Sequence, residues 1–263
     1  MLNIAIRAAR AGGDVILRKM NRLSDIKVEQ KAVNDFVSEV DRLAEEKIID
    51  TLLKSYPNHG IIAEESGDAS RSDHETIWII DPLDGTTNFL HGLPHFAVSI
   101  ACQHKGKIEH AVVYDPIQQE IFSASRGDGA MLNNKRIRVS TPRHIQGTLL
   151  STGFPFKRKE TLDQAMETFK TFFLKAGDIR RTGSAALDLA YVASGRLDGY
   201  WESDLKSWDI AAGMLIVREA GGLCADFLGD NKSLDNGQII AANPKVFSEM
   251  LRIIQRQDQT ITD

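Results

Sequence analysis

Two aspartates, Asp81 and Asp84, directly follow a β-branched apolar run over 76–80. Pro82 between them fixes its own φ and has no N–H, so we expect the strand to end here and the chain to turn. Such a turn brings both carboxylates and the Leu83 carbonyl to one side of the backbone. Converging oxygen atoms suit a hard cation such as Mg²⁺. The segment therefore predicts a metal site at a strand end.

Gly85, Thr86 and Thr87 come next in the chain. Glycine permits a close approach of the backbone, and the two hydroxyls stand where a helix can begin. Free N–H groups at a helix start bind phosphate oxygens. The alternative is that Asp-Pro and Asp-Gly only form turns and that threonine caps a helix. Because both dipeptides occur together at the end of a buried strand, we favour the functional interpretation.

Further acids stand at two other predicted element ends. Glu64 and Glu65 close an apolar strand over 60–63, and Asp209 begins a nearly apolar helix. If neighbouring strands end together, Glu64 lies beside Asp81, and acids gathered there repel one another unless cations neutralise them. This is an argument for more than one metal ion. Taken singly, the glutamates could form a solvated edge, and Asp209 could be a helix N-terminal acid favoured by the macrodipole.

Other sites are less favoured by the sequence. The segment 183–186 is typical either of a helix start that holds a phosphate or hydroxylated substrate, or of a small-residue packing helix with a serine cap. The basic cluster 157–159 is interpreted as a solvated loop. The seven histidines are scattered and both cysteines lie in apolar stretches, so neither a zinc site nor a disulfide is expected.

The composition is that of an ordinary globular protein, with 42% apolar and 26% charged residues among 263. A net charge of -4 argues weakly against direct binding of nucleic acid. Because no stretch approaches the roughly 20 apolar residues that span a bilayer, we expect a cytoplasmic protein without a membrane partner.

The predicted elements alternate between helices and strands. Helices are predicted over 2–20, 38 or 39 to 55, 161–175, 184–194, 208–220 and from Pro244 onwards. Strands are predicted over 60–63, 76–80, 96–103, 108–114, 120–125, 129–132, 198–202, 222–227 and 238–242. The second helix is expected to turn Leu43, Ile48, Ile49, Leu52 and Leu53 inward. This order favours an α/β (α+β) layered sandwich of two β-sheets with helix pairs. It is expected to be one domain over 1–263, in which a half over 1–145 carries most metal ligands and a half over 146–263 carries Asp209 and substrate contacts.

Three separated segments resemble signatures of the inositol monophosphatases, within the lithium-sensitive magnesium phosphatases. Residues 78–89 are similar to the first signature, residues 208–213 with 219–222 to the second, and residues 64–66 stand where the family has its glutamate ligand. The resemblance extends over essentially the whole chain and is nearest to the bacterial SuhB-type branch. It implies an inositol monophosphatase / fructose-1,6-bisphosphatase-like fold and a homodimer.

The resemblance also implies roles for individual residues. One Mg²⁺ would be bound by Glu64, Asp81 and the Leu83 carbonyl, a second by Asp81, Asp84 and Asp209, and a third, weaker one near Glu64. Asp41 and Thr86 match the pair that positions the attacking water, and Glu65 is counted with the catalytic residues. Asp41 could instead belong to a capping box with Ser38. The implied substrate contacts are Leu83, Asp84, Gly85, Thr86, Arg180, Gly183, Ser184, Ala185, Glu202 and Asp209.

The implied reaction is Mg²⁺-dependent hydrolysis of myo-inositol 1-phosphate, and of similar small phosphomonoesters, by metal-activated water. Related phosphatases act instead on fructose 1,6-bisphosphate, histidinol phosphate or 3'-phosphoadenosine nucleotides. Glu202 favours a neutral polyol, because a carboxylate repels a second phosphate. The alternative from another class is a non-catalytic role in transcription antitermination and ribosomal RNA synthesis, with transcription factors or RNA polymerase as partners.

Overall fold

The computed structural model describes residues 1–20, 28–32, 35–68, 74–155 and 162–261. The basic cluster 157–159 and the side chain of Ser38 lie outside the described part. The helices are α1 (Leu2–Met20), α2 (Glu39–Ser55), α3 (Thr86–Leu90), α4 (Leu162–Phe173), α5 (Ala185–Ala193), α6 (Ser207–Glu219), α7 (Ser233–Asn236) and α8 (Pro244–Ile261). The strands are β1 (Val28–Ala32), β2 (Asp35–Ser38), β3 (Gly60–Ala63), β4 (Gly67–Asp68), β5 (Thr76–Asp84), β6 (Ala97–His104), β7 (Lys107–Asp115), β8 (Glu120–Ser125), β9 (Gly129–Leu132), β10 (Lys135–Arg136), β11 (Leu149–Thr152), β12 (Asp178–Arg180), β13 (Gly199–Glu202), β14 (Leu223–Ala225) and β15 (Ile239–Ala242).

Two large sheets alternate with pairs of helices. The eight-stranded sheet has the order β10-β9-β8-β7-β6-β5-β3-β4, and the five-stranded sheet has the order β12-β11-β13-β15-β14. Helices α1 and α2 pack on one face of the larger sheet. Helices α5 and α6 lie between the two sheets, and α4 and α8 cover the far face of the smaller one. The predicted layered sandwich is confirmed.

Residues 77–80 of strand β5 are all apolar because both faces of the sheet are covered there. Trp78 and Ile80 pack with α1 and α2, whereas Ile77 and Ile79 pack with α5 and α6. Successive side chains of a strand point to opposite faces. The alternation therefore directs Asp81, which follows Ile80, towards the layer that contains α5 and α6.

The nine predicted strands are present, and six strands in the described part of the chain were missed. Positive φ at Lys105 and Gly106, and at Asn133 and Asn134, forms the tight turns β6–β7 and β9–β10. The missed strands are all short, with two to five residues each: β1, β2, β4, β10, β11 and β12. Strand β12 is a three-residue edge strand with a charge at each end, so its pairing with β11 depends on the sheet and not on strand propensity.

The inward face of α2 differs from the prediction. Leu43 is 41% exposed, while the buried stripe runs through Val40, Ala44, Ile48 and Leu52, four residues apart. That stripe also takes in two acids, Asp41 and Glu45, which are almost fully buried. Within the described residues, no helix is both long and apolar enough to cross a bilayer.

Candidate active site

Parallel pairing of β3 with β5 brings two of the predicted acids together. Ala63 is opposite Ile80, and the N–H of Glu64 donates to the Ile80 carbonyl over 3.2 Å. The next residues in the two strands, Glu64 and Asp81, are therefore neighbours at one sheet edge. Asp81 is 2% exposed and Glu64 is half-buried. The expected neighbouring positions of Glu64 and Asp81 are present, although only β3 ends at this point.

The sequence predicted that β5 ends at Asp81, but β5 continues to Asp84 through a bulge. Between these paired positions β5 advances by three residues, from Asp81 to Asp84, while β6 advances by two, from Ser99 to Ala97. Asp81 Oδ1 accepts the N–H of Leu83 over 2.9 Å, which closes a local turn around the proline. The bulge keeps the strand paired and still brings the two aspartates near one another.

Gly85 and Thr86 form the start of the short helix α3. Gly85 has φ 96°, and a Cβ there would lie 3.1 Å from the His95 carbonyl and 3.3 Å from the Gly183 carbonyl. Only glycine tolerates both conditions. Gly85 therefore allows the predicted substrate segment that begins at Gly183 to pack against the end of β5.

The Thr86 hydroxyl contacts the catalytic partner that the resemblance implied. Its Oγ1 lies 2.9 Å from Asp41 Oδ1 and 3.0 Å from the Leu83 carbonyl oxygen. A hydroxyl has one proton, so it donates to one of these acceptors at a time. Asp41 is fully buried on α2. The Thr86–Asp41 pair is thus present in the structure.

Asp84 connects the first half of the chain to the second. Its Oδ2 accepts the hydroxyl of Ser184 over 2.5 Å and the N–H of Ala186 over 2.8 Å. Ser184 is the N-cap of α5 and is 1% exposed, so the predicted serine cap is observed. Ala185, which follows it, is also buried.

Asp209 adopts the helix-capping geometry considered from the sequence. It is the third residue of α6, and its Oδ2 accepts the N–H of Lys206 over 2.7 Å. This contact satisfies a donor at the start of α6. Asp209 nevertheless remains close enough to the other acids for its charge to raise the pKa of Asp81.

The acids at this edge raise the pKa of Asp81. Burial raises the pKa of Asp81 well above its ordinary value, and the charges of Glu64, Asp84 and Asp209 raise it further, against the lowering effect of the Leu83 N–H. Burial also raises the pKa of Asp84, to about 6, despite hydrogen bonds from Ser184 and α5. The site is therefore short of positive charge.

These donors fit a hard divalent cation by their chemistry, although not in their present orientation. All are carboxylate or carbonyl oxygens, which Mg²⁺ prefers. Among the residues described, no group of three histidine, cysteine, aspartate or glutamate side chains is arranged to hold a metal ion. The Oδ2 atoms of Asp84 and Asp209 accept hydrogen bonds from the chain. Binding a cation requires a change in the orientation of these side chains.

Glu202, a predicted substrate contact, stands at the end of β13. Tyr200 donates its hydroxyl to Glu202 Oε2 over 2.5 Å, and the carboxyl lies so close to Gly153 that any Cβ there would overlap it. Burial raises the pKa of Glu202 from 4.5 to about 8; Tyr200 and Arg181 lower it, and Asp209 and Asp84 raise it. Without bound cations this carboxyl is mostly protonated at neutral pH, and in that state it repels a second phosphate less than a carboxylate does.

Glu202→Gln is expected to reduce the pH dependence of stability. The folded state binds the Glu202 proton more tightly than the unfolded state, so the free energy of unfolding falls as pH rises from about 4.5 to about 8. The glutamine variant does not have this loss. Urea unfolding at pH 5 and pH 8, without divalent cations, should show a smaller decrease for the variant. An equal decrease in both proteins would contradict the raised pKa.

The remaining predicted residue and those that were missed lie on other elements. Arg180 is on the edge strand β12 and its guanidinium pairs with Asp178 over 2.5 Å. The neighbouring Arg181 has its guanidinium beside Gly183 and acts on Glu202. Sequence reasoning missed Arg181, and also Glu45, whose carboxylate contacts the backbone of the Glu64 turn. For Glu45 the available signal was an acid four residues after Asp41 on an otherwise apolar stripe.

Comparison with known proteins agrees with this fold. Residues 1–260 match the model of the inositol monophosphatase family. A protein named Nus factor SuhB from Pseudomonas aeruginosa is 52% identical over 259 residues, which are 97% of this chain and 96% of that protein. A crystal structure of extragenic suppressor protein suhB from Bartonella henselae is 42% identical, with a TM-score of 0.93 over 96% of this chain and 97% of that one. SaIMPase-II with bound inositol monophosphate is 27% identical, with a TM-score of 0.81 over 99% of this chain and 95% of that one. The chain belongs to the inositol monophosphatase family.

Proposed function

We propose that this protein is a Mg²⁺-dependent phosphomonoesterase that hydrolyses inositol 1-phosphate and similar small phosphate esters. The observation that supports this most is the acidic edge itself. A buried carboxyl, Asp81, is surrounded by the charges of Glu64, Asp84 and Asp209. Burying charges of one sign is costly unless cations or protons compensate them. Membership of the inositol monophosphatase family supports phosphatase activity at this acidic edge.

The residues that would hold the metal ions are those at the ends of β3 and β5 and the start of α6. Glu64, Asp81 and the Leu83 carbonyl would bind one Mg²⁺. The second would be held by Asp81, Asp84 and Asp209. Bound Mg²⁺ supplies positive charge that stabilises phosphoryl transfer and lowers the pKa of water. A third ion near Glu64 remains part of the proposal.

The Thr86–Asp41 pair would orient the attacking water. When Thr86 donates its proton to Asp41, a lone pair of Thr86 Oγ1 is left to accept a hydrogen bond from water. Asp41 is fully buried, so solvent does not compete for this proton, and the Leu83 carbonyl is the other acceptor within reach. The pair would therefore orient the attacking water. Glu65, in the turn between β3 and β4, is proposed to assist.

The phosphate and the leaving group would lie between α3 and α5. The first N–H groups of α3, at Gly85 and Thr86, have no acceptor within their own helix and can bind phosphate oxygens. Gly183, Ser184, Ala185 and Glu202 would contact the hydroxyls of the leaving group, with Arg180 as a further contact. In the structure the Arg181 guanidinium lies beside Gly183, whereas the Arg180 guanidinium pairs with Asp178.

Phosphate release from inositol 1-phosphate is expected to require Mg²⁺ and to stop when EDTA is added. The comparison substrates are fructose 1,6-bisphosphate, histidinol phosphate, a 3'-phosphoadenosine nucleotide and adenosine 2'-monophosphate. The last is included because a structure of SaIMPase-II carries bound 2'AMP. Faster release from one of these would change the proposed substrate but not the reaction class. Absence of release from all of them, by folded protein in excess Mg²⁺, would contradict the proposed enzyme.

A second function is favoured by the names of relatives that are more than half identical to this chain. Proteins from Pseudomonas aeruginosa and Escherichia coli that are 52% and 54% identical are named Nus factor SuhB. We infer that this chain also takes part in transcription antitermination, through contacts with transcription factors or RNA polymerase. An antitermination reporter should then respond to loss of the protein but not to Asp81→Asn.

We also infer a homodimer, which light scattering can test.

A further inference from the structure

A buried glutamate on α2 holds the turn that carries Glu64. The two carboxylate oxygens of Glu45 accept the successive N–H groups of Glu65 and Ser66, each over 2.8 Å. Glu45 is only 4% exposed. Two donors bound to two oxygens of one carboxylate fix the position and also the orientation of both peptide groups. The turn between β3 and β4 is therefore attached to α2 at two points.

This attachment restrains Glu64 from its C-terminal side. On its N-terminal side, the Glu64 N–H donates to the Ile80 carbonyl on β5. On the other side, the next N–H in the chain donates to Glu45. With hydrogen bonds at both ends of the residue, the Cα–Cβ direction of Glu64 is set towards Asp81. The β3–β4 hairpin adds little to this, because β4 has only two residues.

The same helix supports the other side of the candidate site. Asp41 is one helical turn before Glu45, and its carboxylate accepts the Thr86 hydroxyl. Residues four apart in a helix lie on the same face. Helix α2 packs on α1 and on the larger sheet through its buried stripe. Helix α2 therefore contacts both the Thr86 hydroxyl and the Glu64 turn, and the distance between these two groups depends on α2.

We propose that Glu45 is a positioning residue for the metal site, acting through the backbone of Glu65 and Ser66 to place the Glu64 carboxylate. This inference rests on the proposed function, because it assigns Glu45 to a Mg²⁺ ligand. Glu45 is not among the residues proposed to hold the metal ions or the substrate. Its two carboxylate oxygens accept N–H groups of the turn that carries Glu64. Outer residues that orient metal ligands change metal affinity by about 10- to 100-fold when they are altered.

Glu45→Gln is the variant that tests this proposal. Glutamine has the same shape, but its amide offers one acceptor oxygen, and its NH₂ faces an N–H donor that it cannot accept. One attachment of the turn is lost, and the other is weakened because the acceptor is no longer charged. The matched control is Glu46→Gln, which makes the same change at the exposed neighbouring position on α2.

Two measurements separate positioning from a general loss of structure. Amide hydrogen exchange followed by NMR should show that Glu65 and Ser66 are protected in the unaltered protein and exchange faster in Glu45→Gln. Calorimetric titration should show Mg²⁺ bound about 10- to 100-fold more weakly by that variant. Glu46→Gln should match the unaltered protein in both. Circular dichroism and thermal unfolding should show that Glu45→Gln remains folded.

The outcomes distinguish this inference from the proposed function. If Glu45→Gln binds Mg²⁺ as tightly as the unaltered protein does, the positioning role is wrong while the metal site stands. If the unaltered protein binds no Mg²⁺, the proposed function fails, and this inference fails with it. If the variant does not fold, amide hydrogen exchange in the unaltered protein still tests the inference. Unprotected amides at Glu65 and Ser66 would overturn the inference, because the attachment would then be absent in solution.

Discussion

Asp81→Asn is expected to lower kcat/KM for phosphate release by about 1,000-fold or more, since charge stabilisation supplies most of the catalysis in phosphoryl transfer. Asp81 is the acid that both proposed Mg²⁺ sites share, so a neutral side chain weakens both. The asparagine keeps the local turn, because its Oδ1 can still accept the Leu83 N–H. The expected loss is therefore one of charge and not of shape.

The same substitution is expected to stabilise the protein when no metal is present. Asp81 is buried among three other acids, and its ionisation costs free energy in the folded state. In EDTA at pH 8, urea unfolding should therefore give a higher free energy of unfolding for Asp81→Asn. Mg²⁺ at 100 times its Kd stabilises a folded protein by about 2.7 kcal/mol, and the variant should gain much less. A variant that is less stable and equally responsive to Mg²⁺ would contradict the proposed site.

Asp115→Asn is the matched control for this prediction. Asp115 is also a buried strand aspartate with a pKa that burial raises. Its Oδ1 accepts two backbone N–H groups, from Ile117 and Gln118, at the end of β7. An asparagine oxygen can accept the same two donors. Asp115→Asn should leave phosphate release and the response to Mg²⁺ unchanged, so an equal loss of activity there would point to a general effect of removing buried charge.

The chemistry of the candidate site could be predicted because its signals are local. An apolar strand that ends in acids, with proline and glycine between and after them, places oxygen donors at a sheet edge. The sequence therefore predicted the neighbouring positions of Glu64 and Asp81, and the parallel pairing of β3 with β5 produces them. The hairpins were predictable for the same reason, since each depends on one or two residues that accept a positive φ.

The features that were missed depend on contacts between distant segments. The bulge in β5 forms because β6 pairs on both sides of it, which no pattern within 76–84 indicates. The protonation of Glu202 depends on burial of β13 and on charges from other elements. Glu45 was overlooked because Leu43 was placed in the inward stripe of α2. Correcting the helical phase by one residue turns two acids inward, and these acids need hydrogen-bond partners from outside the helix.

Thr86→Val is expected to lower kcat by about 100- to 10,000-fold, the range for a group that directs proton transfer. Valine keeps the shape of threonine but has no hydroxyl, so it can neither donate to Asp41 nor accept a hydrogen bond from water. Removing a donor from a buried carboxylate also costs about 1–3 kcal/mol of stability. Thr86→Ser, which retains the hydroxyl, should keep most of the activity and stability.

A double variant tests whether Thr86 acts through Asp41 or alone. If Asp41 serves to orient the Thr86 hydroxyl, Asp41→Asn should reduce kcat far less in the Thr86→Val background than in the unaltered protein, because the hydroxyl it orients is already absent. Independent effects that multiply would show that Asp41 contributes by another route, such as holding α2 at the larger sheet. Mg²⁺ affinity should change little in either single variant. The 2.9 Å contact between Thr86 and Asp41 would then be a proton-directing pair, separate from the acids that hold the metal.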